Sequence, residues 1–99
     1  MMITPQARRR ITGAVTALPD ASLRDRWGAW ARAASPDQVR TDVPYEIAEI
    51  AFHALTAAEK TIYQQLEQDL DEDTRADLAN DLGYILAIET AIRNEGIGR

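Results

Sequence analysis

The sequence predicts an all-α fold, a small four-helix bundle in which a long third helix forms an antiparallel hairpin with the fourth. Three observations lead there. Between Pro44 and Leu70, apolar residues fall at Ile47, Ile50, Ala51, Ala54, Leu55, Ala58, Ile62, Leu66 and Leu70, the spacing by threes and fours that marks one face of a helix. Strand formers are scarce, with valine only at Val15, Val39 and Val43, and no segment sustains a period-two alternation. Much of the apolar 45% is alanine and only 6% of the residues are aromatic, a composition suited to closely packed helices. Ninety-nine residues give room for one domain, 1–99, with a modest core.

Helix one is announced by Thr4-Pro5, an N-cap followed by proline where its missing N–H costs nothing. It is expected to run to about Leu18, burying Ala7, Ile11, Ala14, Val15 and Leu18, with Gly13 either a weak point or a place where another helix comes close. Pro19 stops it. Asp20 or Ser22 can cap a second helix whose stripe is Leu23, Trp27, Trp30, Ala31 and Ala34. Ser35-Pro36-Asp37 reads as a turn, and 38–43 as a short irregular connection.

Helix three is expected to start at Val43-Pro44, with Thr41 or Asp42 as cap. Thr56-Ala57-Ala58-Glu59 matches a capping box and is the one feature pointing to a break after Leu55. The stripe nevertheless keeps its phase from Ile47 to Leu70, which favours an unbroken rod. Such a rod is about 40 Å long, against a radius of gyration near ~13 Å for a domain of this length. The mismatch, with Tyr45, Phe52 and Tyr63 lying off the main stripe, predicts a homodimer through this helix. Asp71-Glu72-Asp73-Thr74 is the turn, Asp73 or Thr74 the cap of helix four, and Leu78, Ala79, Leu82, Ile85, Leu86, Ile88 and Ile92 its apolar set. Acids in its first turn suit the helix dipole. Asn94-Glu95-Gly96 supplies the stop.

The net charge of −5 hides an asymmetry. Residues 1–40 hold seven arginines against Asp20, Asp25 and Asp37; residues 41–99 hold thirteen acids against Lys60, Arg75, Arg93 and Arg99. The halves attract one another, within a chain or across a dimer, or one of them offers its charge to a partner. With no cysteine, disulfides, thiolate metal sites and cysteine nucleophiles are excluded. No stretch approaches the ~20 apolar residues that span a bilayer, so the expectation is a cytoplasmic protein without membrane partners. One lysine against ten arginines, with abundant alanine and aspartate, matches the coding bias of a GC-rich bacterium or its phage.

Catalytic constellations are poor, and no enzyme and no cofactor is expected. The single histidine, His53, follows Glu49 by one turn and Glu46 by two, which suits an oriented base or two metal ligands. A di-metal bundle needs a second Glu-x-x-His element that is missing. Ser22 and Ser35 sit in no nucleophile elbow. Asp69, Asp71, Asp73 and Asp77 fall at positions 1, 3, 5 and 9 of a calcium loop, but Thr74 stands where glycine is needed and Asn80 where a bidentate glutamate closes the shell.

The remaining readings concern binding. Glu67, Asp69, Asp71, Glu72, Asp73, Asp77 and Asp81 form an acidic surface suited to a protein partner with a basic, nucleic-acid-binding face, with Trp30 as an apolar anchor. Occlusion of such a face is how small acidic helical proteins of the antitoxin, immunity and phage anti-defence classes act, an analogy of class with no motif behind it. The first alternative is a dimeric DNA-binding regulator using Arg8, Arg9 and Arg10, joined by Arg24, Arg26, Arg32 and Arg40. Three successive arginines fan across about 200° of a helix, which weakens it. The second alternative is a structural subunit of a larger assembly.

Overall fold

The computed structural model describes residues 2–33 and 41–94. Four helices make up nearly all of it: α1 (Pro5–Thr16), α2 (Ala21–Ala33), α3 (Tyr45–Leu66) and α4 (Glu72–Asn94). Two strands of two residues each, β1 (Met2–Ile3) and β2 (Thr41–Asp42), pair antiparallel with Met2 opposite Asp42 and Ile3 opposite Thr41. They are too short to alter the all-α class, but they tie the start of the chain to the entry of α3. A lone two-residue pair carries no period-two signal, so the sequence could not announce it.

The helix starts follow from local chemistry. The Thr4 hydroxyl accepts from the Ala7 amide at 3.1 Å, with Pro5 as the first helical residue. The Asp20 carboxylate accepts from the Ser22 and Leu23 amides at 2.9 and 3.4 Å, which assigns the α2 cap to Asp20 rather than Ser22. Thr41 and Asp42 lie in β2, ahead of the cap position of α3. Pro44 occupies that cap position, its carbonyl accepting from the Ile47 and Ala48 amides. The α4 helix begins at Glu72, earlier than Asp73 or Thr74, and the Asp71 carbonyl accepts from the Arg75 amide at 3.0 Å. The expected turn at 35–37 and the stop at 95–96 lie outside the described residues.

Helix α3 is unbroken. The Thr56 hydroxyl donates back to the Phe52 carbonyl at 2.9 Å, so the capping-box residues sit inside a continuous helix. It ends at Leu66, four residues before Leu70, and its 22 residues span about 33 Å. That length fits the molecule's 41 Å long axis, because α4 is equally long and runs beside it; the expected overhang is absorbed by an elongated shape with a radius of gyration of 13.9 Å.

The core sits at the end of the hairpin away from its turn, where α1 and α2 pack on α3 and α1 also reaches α4. Ile11 of α1, Leu55 of α3 and Ile92 of α4 are fully buried there, joined by Val15, Trp27, Ala48, Ala51 and Ile88. Each such aliphatic burial contributes about 1.5–3 kcal/mol. The Trp27 indole N–H donates to the Thr12 hydroxyl at 3.0 Å, satisfying the one polar atom of a buried ring. Towards the turn, Leu66, Leu70, Leu78 and Leu82 are only half-buried. Gly13 meets open space where a Cβ would stand, so it is a weak point of α1 and not a close approach. Among the described residues no helix is long and apolar enough to cross a membrane.

Candidate protein-binding surface

The hairpin turn projects from the part of the bundle that α1 and α2 cover, and it carries the acidic residues. Glu67, Asp69, Asp71, Glu72, Asp73 and Asp77 are all exposed. Arg75 is the only cationic residue between Lys60 and Arg93; it is exposed, but its guanidinium is held against the end of α3. Its guanidinium donates from Nη1 to the Leu66 carbonyl at 3.1 Å and from Nη2 to the Gln68 carbonyl at 3.0 Å. The last carbonyls of a helix have no partner within it, so one side chain closes the end of α3 and pins the turn. The six carboxylates are left facing solvent.

Asp81, the seventh member of the predicted surface, is separated from them in role. It is half-buried and forms an ion pair with Arg10, whose guanidinium also lies over the Tyr84 ring, 5.6 Å from its centroid. This contact joins α1 to α4 and draws one residue from the acidic set and one from the alternative arginine set. Of the other arginines predicted for nucleic acid, Arg8 is half-buried, with its Nη1 enclosed and unpartnered among the described residues, while Arg9 is exposed. Arg24 donates to the Leu18 carbonyl at 3.1 Å at the end of α1. Arg10 and Arg24 are thus engaged within the chain, Arg9, Arg26 and Arg32 are exposed, and Arg40 lies outside the described residues.

The side chains expected at a dimer interface line one side of α3. Tyr45 and Tyr63 are 18 residues apart, five full turns at 3.6 residues per turn, and both are exposed. Phe52, between them, is half-buried, and the Arg93 guanidinium covers it at 5.5 Å from the ring centroid. A hydrogen bond to Glu49 and that carboxylate's charge push the Tyr45 hydroxyl pKa up. Trp30, the predicted anchor, is half-buried and tilted against Trp27, ring centroids 5.0 Å apart. Trp27 is the core tryptophan and Trp30 the accessible one.

His53 lines a cleft of about 370 Å³ between α2 and α3, with Arg26 from α2 and Glu46, Glu49 and Phe52 from α3. Its charges are mixed, one arginine facing two glutamates and a histidine. Among the described residues no three His, Asp or Glu side chains converge as a metal site. The calcium-like spacing fails because α4 begins at Glu72: Asp73 and Asp77 stand one helical turn apart on a rod and do not wrap a loop.

Two residues that matter escaped the sequence reading. One is Arg75, whose signal was its position as the lone cation among acids. The other is Glu89 on α4, only 1% exposed among Ile85, Ile88 and Ile92. Its place four residues after Ile85 was in phase with the apolar stripe all along. Burial, then a hydrogen bond and the charge of Glu59 on α3, raise its carboxyl from near 4.5 to about 7, against a smaller opposing effect of Arg93. No family model, curated protein or solved structure matches this chain.

Proposed function

We propose that this chain is a non-enzymatic binding module whose hairpin turn docks on the basic surface of a partner protein and occludes it, as a small acidic regulator or inhibitor does. The observation that carries the reading is the engagement of Arg75: its guanidinium is committed to two backbone carbonyls at the end of α3, which fixes the backbone beneath six exposed carboxylates. A preformed acidic turn loses little conformational entropy on docking, and its field speeds encounter with a cationic face at low salt. A homodimer through the Tyr45–Tyr63 side of α3 leaves both turns free and doubles the valency. The DNA-binding alternative has less support, because Arg10 is paired with Asp81 and Arg8 is partly enclosed.

Fluorescence anisotropy with a labelled decaarginine peptide and a labelled DNA duplex, at low and moderate salt, tests this reading. Asp71→Lys with Asp73→Lys is expected to weaken peptide binding at least tenfold more than Glu46→Lys with Glu49→Lys, which changes net charge equally at the other end of α3. Equal losses from the two pairs refute a localised acidic site. Duplex binding that exceeds peptide binding and disappears in Arg9→Glu transfers the activity to the arginines.

A further inference from the structure

Glu89 lies in the α3–α4 interface with no opposite charge held against it. Its Oε1 is buried and unpartnered among the described residues, and the group that acts on it most strongly is another carboxylate, Glu59, within hydrogen-bonding reach from α3. The remaining charges around it are few. Arg93, one turn further along α4, acts on it more weakly and is stacked over Phe52, while Lys60 beside Glu59 is exposed. Helix α1 approaches the other flank of α4, at Tyr84, Ala87, Ile88 and Ala91, and Arg10 on it is committed to Asp81.

Two carboxylates at this distance in an apolar setting cannot both ionise without strong repulsion, and a single proton between them removes it. A protonated Glu89 can donate its hydroxyl to Glu59, which is half-buried at the rim. We propose that the Glu59–Glu89 pair is a proton-operated latch between α3 and α4, closed while one proton is shared and loosened when it leaves, so that the hairpin bearing the acidic turn opens more readily as the medium passes from acid to neutral.

The sign follows from linkage. The folded chain holds the Glu89 proton up to about pH 7, whereas the unfolded chain releases it near ~4.3. Between these values the folded state binds more protons, so stability is greatest at the acid end and falls as pH rises. One proton changes the folding constant by up to about tenfold per pH unit, on the order of fiftyfold in all between pH 5 and pH 8.

Urea denaturation of the full chain from pH 5 to pH 8.5 tests the latch, with Glu89→Gln as the variant that keeps shape and loses the titration, and His53→Gln as the control for the exposed imidazole. The wild type and His53→Gln are expected to lose stability across this range, while Glu89→Gln stays level and equals or exceeds wild type at pH 8. Carboxyl-carbon NMR of the wild type provides a readout that does not depend on the variant folding: the Glu89 resonance is expected to titrate near neutrality. Amide exchange along Ile62–Leu66 and Leu82–Leu86, corrected for base catalysis, should quicken between pH 5 and about pH 7 and level off above it in wild type, but not in Glu89→Gln. A Glu89 midpoint in the ordinary carboxylate range, or a Glu89→Gln variant with the wild-type slope, overturns the proposal.

Discussion

Replacing Arg75 by alanine removes the one side chain that closes the hairpin turn, and the loss can be worked from its contacts. The guanidinium makes two charge-assisted bonds, to the Leu66 carbonyl at 3.1 Å and the Gln68 carbonyl at 3.0 Å. The site is exposed, so each bond contributes at the low end of the usual range, about 0.5 kcal/mol. A cation at a helix C-terminus adds about 0.3–1 kcal/mol at low salt. Arg75→Ala is therefore expected to destabilise the chain by about 1.5 kcal/mol, a fall in Tm of roughly 8 °C for a domain of this size. Lysine at this position keeps the dipole interaction but not the fork that spans two carbonyls, so Arg75→Lys is expected to lose about half as much. Because six exposed carboxylates surround the site, the loss shrinks in high salt, which screens their repulsion. Urea denaturation at low and high sodium chloride measures both quantities. A variant within about 0.3 kcal/mol of wild type at low salt refutes the argument, leaves Arg75 an ordinary solvated side chain, and removes the physical basis for a preformed acidic turn.

Two further outcomes follow from packing. Trp27→Phe empties part of the space between α1 and α2 and removes the N–H that the Thr12 hydroxyl oxygen accepts; a loss of about 1–2 kcal/mol is expected, read by denaturation followed by circular dichroism. Gly13→Ala adds a methyl group that meets nothing within 4 Å and removes backbone freedom from the unfolded chain, so a gain of about 0.5–1 kcal/mol is expected, read as a raised melting temperature. An unchanged or lowered melting temperature would mean that the space beside Gly13 is filled in solution.

How much of this could be read from the sequence depends on whether a feature is periodic or singular. The stripe from Ile47 to Ile62 placed α3 and most of its buried face, because helical phase is a repeated signal that survives local exceptions such as Thr56. Ala48 stands outside that stripe and is nevertheless fully buried, since α1 and α2 pack on α3 from a second direction that one helix's pattern does not report. The four-residue error at the end of α3 has a similar origin: Leu70 continues the apolar rhythm, but Arg75 caps the Leu66 and Gln68 carbonyls from the next helix, a contact made only once the hairpin exists. Glu89 was overlooked because a charged residue type was given precedence over its position on the stripe. Burial in a carboxylate-lined interface is decided by what α3 presents opposite it, and that information lies thirty residues away in the chain.

The charge asymmetry between the halves of the chain allowed two outcomes, internal neutralisation or an offered surface, and the arginines weigh them. Internal neutralisation requires the basic residues to meet the acids directly. Arg10 does so with Asp81, a partly exposed pair of the kind that contributes about 0–1 kcal/mol. Arg24 and Arg75 instead satisfy backbone carbonyls at helix ends, and Arg93 covers an aromatic ring. These are tasks that a guanidinium performs through shape and donor number as much as through charge, and they commit these arginines to groups other than the six carboxylates of the turn. The repulsion among those carboxylates is then sustained by the core at the opposite end of the hairpin. A chain of this size with a modest core carries such an uncompensated cluster at a cost in stability, and the cluster gives that cost a return in encounter rate when a cationic surface comes within a Debye length, about 8–10 Å at physiological salt.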